Sequence, residues 1–208
     1  MADLPFRLAD PLAERLREAA DVEGKIIRVL ESLGPLAGRD VALLDVPAGP
    51  LLNRLAAAGI ASVQVPLLEP FRLDVPDGSL DAVVSLWAGF RGVDPVALAE
   101  VDRALRPDGC LLVVHDYGRD DVCGLADPDA PEYRSWSRRE GPFLHGGTFK
   151  VRVVHCFWTF PSIEEAQAFL GEAFGEQGTA IGAGLKRPRL AWNVAVYHRR
   201  RGGAGPVA

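Results

Sequence analysis

The four histidines and three cysteines bound the chemistry open to this chain. His115 closes an apolar run beside Asp116 and Tyr117. An imidazole titrates near neutral pH, so His115 is the first candidate for a general base. His145, flanked by Gly146 and Gly147, is the alternative. The histidines are scattered and share no metal-ligand spacing. Cys110, Cys123 and Cys156 are odd in number, and no pair has Cys-x-x-Cys spacing. That pattern suits reduced thiols in a cytoplasmic protein. Trp136, Arg138, Arg139, Phe143 and Trp158, with Tyr117 at a strand end, could wall an aromatic and basic substrate pocket. Ordinary packing and surface charge would use the same residues. A phosphate-binding Gly-x-x-x-x-Gly-Lys-Ser/Thr loop, a Gly-x-Ser-x-Gly elbow and a Gly-x-Gly-x-x-Gly turn are all missing from the sequence. This speaks against P-loop, hydrolase and nicotinamide-dehydrogenase chemistry.

Those side chains need a frame, and the hydrophobic periodicity supplies one. Asp10 and Pro11 open a first helix, with Asp10 expected as its cap. A second helix is predicted over residues 22–33. The continuous apolar run 41–46 reads as a strand buried on both faces, as in parallel sheets. A turn and a short helix follow, closed by Gly59. Residues 62–68 read as a strand, with Pro66 pointing to a sheet edge. Further strands are predicted over 81–87 and 110–116, separated by a helix that starts at Asp94-Pro95. Strand and helix thus alternate over residues 41–117, which implies right-handed βαβ units and a parallel sheet. Residues 118–147 break the alternation with Asp, Arg, Pro and Gly, and read as a cap or lid. Residues 148–160 alternate again as a strand. Ser162-x-x-Glu165 is a capping box for a helix that should end at Gly175. Residues 190–198 form the last strand.

Four stretches together resemble a class I S-adenosylmethionine-dependent methyltransferase. They are Leu44-Asp-Val-Pro-Ala-Gly-Pro50, Val75-Pro-Asp-Gly-Ser-Leu-Asp-Ala-Val-Val-Ser85, the helix-turn-strand of residues 98–114, and Phe157-Trp-Thr-Phe-Pro-Ser-Ile-Glu-Glu-Ala166 with its helix and strand. The resemblance implies a Rossmann-like α/β fold: a mostly parallel sheet, helices on both faces, and an antiparallel last strand. It implies S-adenosylmethionine as cofactor and a small-molecule substrate. Asp45, Pro47, Ala48 and Gly49 fall on the family's donor-binding turn, where glycine lets a ligand approach bare backbone. Pro47 and Leu51 stand where the family usually has glycine, so the motif is degenerate. The interval between Gly59 and Asp81 is short by one strand-helix unit, so the family's seven strands should be six. Residues 63–68 fit either of two family strands, and both registers lead to Glu69 as the acid near the donor. Ser85 and Trp87 end the next strand and could line the donor pocket. The competing reading is a degenerate methyltransferase-like fold without catalysis, serving binding or assembly.

The 208 residues suit one domain. Its expected parts are N-terminal helices over 1–40, a core of 41–117 with 148–198, the inserted 118–147, and a flexible tail over 199–208. The formal net charge of −5 gives no pull toward nucleic acid or an anionic membrane. Residues 1–10 carry no secretory apolar run, and no stretch is apolar enough to span a bilayer. The expectation is a cytoplasmic enzyme. Packing of 118–147 on a second copy, giving a homodimer, is the alternative to a lid.

Overall fold

A computed structural model describes residues 4–34, 36–44, 50–66, 71–87, 94–126 and 138–203. Among the described residues, five helices surround one sheet: α1 Asp10–Ala19, α2 Lys25–Leu33, α3 Pro50–Ala57, α4 Pro95–Ala104 and α5 Ile163–Ala183. The strands are β1 Val41–Leu44, β2 Ser62–Val65, β3 Leu80–Leu86, β4 Leu105–Asp116, β5 Lys150–Thr159 and β6 Arg189–Arg200. Their order in the sheet is β2-β1-β3-β4-β6-β5. The first four run parallel, and β6 is antiparallel to both β4 and β5. The fold is the expected α/β sheet with an antiparallel last strand. It has six strands among the described residues, and the described part of the β2–β3 connection holds no helix.

All four residues of β1 are buried because both faces of the sheet are covered. One face carries Leu43, Leu86, Val114 and Trp192 against Leu16, Ile26 and Phe169 of α1, α2 and α5. The other carries Leu44, Val83, Val113 and Tyr197 against Leu98 and Val101 of α4 and against Phe143. Strand β2 lies at the sheet edge, as Pro66 suggests, but it stops at Val65 instead of running on to residue 68, because Pro66 has no N–H for the ladder.

The helix starts follow local capping chemistry, with two differences from expectation. Asp94 caps α4 by accepting from the Val96 N–H at 2.9 Å, and Ser162 caps α5 by accepting from Glu165 N–H at 3.1 Å. Asp10, however, lies inside the first turn of α1, and Ala9 occupies the cap position. There the carboxylate acts on the helix dipole instead. Helix α2 starts at Lys25, later than expected, because Gly24 takes a left-handed conformation. The Asp21 carboxylate then accepts from the N–H groups of Lys25 and Ile26 at 2.9 and 2.8 Å. Gly175 does break α5, with φ 59° and ψ −136°, but helix resumes beyond it and runs to Ala183.

The described flanks of the 118–147 segment are fastened to the sheet. Asp120 and Asp121 accept from the backbone N–H groups of Asn193 and Ala191 at 2.7 and 2.8 Å. A 3-10 turn, Val122–Leu125, buries Val122 and Leu125. Phe143 is fully buried and stacks on Tyr197 with centroids 4.3 Å apart. Residues 127–137, with Tyr133 and Trp136, lie outside the described residues.

Candidate functional site

The strand order fixes where a ligand crevice belongs. The chain passes from β1 outward to β2, then returns to the other side of β1 as β3. Such a reversal opens a crevice at the carboxyl ends of the two central strands. Leu44 at the end of β1 is in register with Ser85, and Leu86 with Val114 of β4. The stretches 45–49 and 67–70 follow β1 and β2 in the chain. The expected donor contacts Asp45, Pro47, Ala48, Gly49 and Glu69 therefore lie outside the described residues.

Trp87 follows β3 at this crevice. Its backbone φ is 54°, the left-handed region that bulky residues avoid. Its N–H donates to Val114 O at 3.0 Å, which ties the strained residue to β4. The indole is 7% exposed and stacks on Trp192, with centroids 5.4 Å apart and planes at 18°. Trp87 Nε1 is buried and has no hydrogen-bond partner. Trp192 Nε1 donates to Asp116 Oδ1 at 2.7 Å.

Trp87 and Trp192 also line a cavity with Arg17, Asp21, Arg54 and Leu86. About 30 Å3 of it is open to the centre of a water molecule. Arg54 is held by three backbone carbonyls: Nη1 donates to Ala20 and Asp21 at 3.1 Å each, and Nη2 to Arg17 at 3.3 Å. Its Nε is buried without a partner.

The other expected site residues are distributed as follows. His115 is 2% exposed and lies beside Phe143, with ring centroids 5.6 Å apart. Phe143 belongs to the sheet face opposite Trp87 and Trp192. Strand alternation separates His115 from Asp116 in the same way, since successive side chains point to opposite faces. Ser85 is fully buried, one residue out of phase with Val84 and Leu86 of the Trp87 face. Tyr117 packs against the cluster that holds Phe143. Trp158 is fully buried behind Trp192, 6.1 Å between centroids, among Phe6, Phe169 and Phe174. Arg139 and His145 are exposed, and Trp136 lies outside the described residues. Trp87 and Trp158 are thus joined through Trp192, a residue that no sequence motif marks. Arg17 and Arg54 carry no such mark either. The period-2 pattern of the last strand, which sets Trp192 in phase with the apolar Leu190 and Val194, is the available signal for the tryptophan.

No protein-family model and no curated protein matches this sequence. Solved structures do match. A candidate type II methyltransferase from Anaeromyxobacter dehalogenans is 16% identical, with a TM-score of 0.50 over 94% of this chain and 98% of that one. The chain has a Rossmann-like methyltransferase fold. A candidate methyltransferase from Haloferax volcanii, solved with the Trm112 activator, is 17% identical with a TM-score of 0.48, covering 92% of this chain and 98% of that one. Phosphoethanolamine N-methyltransferase 2 of Haemonchus contortus, solved with phosphomonomethylethanolamine and S-adenosylhomocysteine, is 14% identical with a TM-score of 0.46. That match covers 83% of this chain and 52% of the enzyme, so the chain spans about half its length. Within this methyltransferase fold no described helix is long and apolar enough to cross a membrane.

Proposed function

We propose that the protein is an S-adenosylmethionine-dependent methyltransferase acting on a small molecule. The observation that carries this reading is Trp87. A bulky residue held at φ 54°, buried, with an unpartnered indole N–H, stands at the crevice where the strand order reverses. Backbone strain of this kind costs about 1–3 kcal/mol and gathers at ligand sites. A strained, buried residue at the end of β3 supports a ligand site at this crevice. S-adenosylmethionine would supply a methyl group on a sulfonium, activated for transfer. Asp45, Gly49 and Glu69 would hold it, with Pro47 and Ala48 in the same turn and Trp87 as a wall.

What remains for the protein is alignment of the acceptor, which carries much of the rate in such a transfer. An acceptor hydroxyl or ammonium also needs a base. His115 and Asp116 are adjacent at the end of β4, on opposite faces. Asp116, on the face of Trp87 and Trp192, is the nearer choice in this reading, and His115 would serve an acceptor entering from the Phe143 side. Residues 118–147 would cover the crevice.

Calorimetric titration with S-adenosylmethionine and S-adenosylhomocysteine tests the reading. Binding is expected, and Gly49→Val should abolish it with the fold kept, because a side chain there blocks approach to the backbone. A wild-type protein that binds neither nucleoside would instead be a binding or assembly module on a methyltransferase fold.

A further inference from the structure

We propose that the groove bordered by Lys186, Arg187 and Arg189 docks an acidic peptide segment of a partner protein. The groove has a volume of about 470 Å3 and lies between the end of α5 and the strands β5 and β6. Phe157 of β5, Ile181 of α5 and Leu185 just beyond that helix supply its apolar lining. Strand β6 runs antiparallel to β4, so Arg189 and Ala191 at its start lie at the carboxyl end of β4. The groove thus shares that edge of the sheet with the crevice at Trp87. It is a separate site, and the proposal stands apart from the methyltransferase reading.

The charge balance selects an acidic partner. The whole chain carries −5, yet three cations stand here within the four residues Lys186–Arg189. Lys186 and Arg187 are exposed, and none of the three forms an ion pair among the described residues. Two acids stand near them. Asp121 lines the groove, and its Oδ2 accepts from the Ala191 N–H. Glu23 is held by Lys25 at 2.8 Å and is also drawn to Arg189. The groove therefore keeps an excess of positive charge. The Arg189 guanidinium is already placed, 4.4 Å from the centroid of the Phe157 ring. That contact fixes the cation without consuming its N–H donors, which can meet a carboxylate as a fork.

Shape separates a peptide from a free ion. Two of the three cations are exposed, so they do not enclose a small anion. They come from one stretch of chain and present a row of charge. Phe157, Ile181 and Leu185 are half-buried beside that row. An acidic segment with apolar side chains answers both features, with carboxylates on the arginines and an apolar anchor on the strip. Arginine and aromatic side chains are the residues enriched at such interfaces. A nucleic acid or an anionic membrane would meet the same cations, but also the −5 charge of the whole chain, which opposes a polyanion.

A fluorescein-labelled peptide, Glu-Glu-Leu-Glu-Glu-Phe, is the probe, and its anisotropy is read against the full chain at low ionic strength. Saturable binding is expected. The affinity should fall at least about tenfold when Lys186→Glu and Arg187→Glu are combined, and again when the glutamates of the peptide are replaced by glutamine. Replacing its Leu and Phe by serine should weaken it at least about threefold, because the apolar strip is then unused. Arg39→Glu with Arg201→Glu is the control. It makes the same change in net charge at two exposed positions on the opposite edge of the sheet, before β1 and after β6. Binding there should stay within about twofold of the parent, since salt screens charges so far apart. Unchanged circular dichroism checks that both variants keep their fold. No saturable binding, or equal losses in the two variants, overturns the proposal. Tighter binding of oligothymidylate or of phosphatidylserine vesicles than of the peptide overturns it too, in favour of a nucleic acid or a membrane. Failure to bind S-adenosylhomocysteine would sink the methyltransferase reading and leave a peptide-binding groove standing.

Discussion

Trp192 donates its indole N–H to the Asp116 carboxylate at 2.7 Å, and both residues are buried. A hydrogen bond to a charged group contributes about 1.5–3 kcal/mol, and burial raises the cost of losing it. Trp192→Phe keeps an aromatic ring against Trp87 but removes the donor and part of the buried ring volume. It should lower the unfolding free energy by about 2 kcal/mol in urea titration. The double variant Trp192→Phe with Asp116→Leu should recover part of that loss. A single variant as stable as the parent would show that Asp116 gains nothing from the indole.

The loop after β2 is tied to α4 by a pH-sensitive joint. Glu100 accepts from Arg103 and from the Leu73 N–H at 2.9 Å, while Arg103 also donates to the carbonyls of Leu73 and Val75. The Arg103 guanidinium, helped by the Leu73 N–H, overcomes the opposing effect of burial and holds the Glu100 carboxyl at about 2 against an ordinary 4.5. A folded-state value below the unfolded one means stability that is present at neutral pH. It is lost as pH falls from about 5 toward 2. The size is at most about 3.5 kcal/mol, because each tenfold change in proton affinity is worth about 1.4 kcal/mol. Unfolding free energies measured between pH 7 and pH 3 should fall less steeply in Glu100→Gln. Parallel curves for the two proteins would refute the assignment.

Two glycines of α5 should respond differently to alanine. A Cβ on Gly178 would stand 1.9 Å from Leu170 O and 2.9 Å from the Phe174 Cβ. The two halves of the broken helix would have to separate, so Gly178→Ala should cost more than about 3 kcal/mol or prevent folding. Gly175 meets nothing within 4 Å, and its difficulty is only the φ of 59°. Gly175→Ala should therefore remain folded and lose about 1–3 kcal/mol. Thermal unfolding of both variants checks the order, and the reverse order would contradict this packing.

The Asp102–Arg199 pair fastens α4 to the last strand. Arg199 Nη2 donates to both Asp102 oxygens, at 2.6 and 2.5 Å, and the arginine side chain is 5% exposed. Asp102→Ala strands a buried cation and should cost about 3 kcal/mol. Replacing both residues with apolar ones of similar size should restore most of it. A double variant no better than the single one would mean that the charge of Arg199 is met elsewhere.

The frame was legible in the sequence because it is written in periodicity. The apolar run of β1, the Asp94-Pro95 start of α4 and the Ser162 capping box each act through near neighbours, and each stands where the pattern put it. The expected start of α2 at residue 22 failed for a local reason too, since Gly24 breaks the chain there and Asp21 caps from four residues upstream. The candidate site was less legible. Its cavity joins Arg17 and Arg54 to Trp87 and Trp192, side chains from four separate parts of the chain. No spacing rule links such positions, and only the sheet order brings them together. His115 and Asp116 show the finer limit. Both belong to the same strand end, but which face each one serves depends on a register that composition does not carry.

The short connection between β2 and β3 has a consequence for behaviour in concentrated solution. Among the described residues β2 is the outermost strand on its side, with Val63 59% exposed. An open strand edge is a template on which further chains can pair and aggregate. Here the template is four residues long, and Pro66 follows it directly without an N–H to offer. Among the described residues the sheet thus ends on a short strand stopped by proline, which gives another chain little length to pair with.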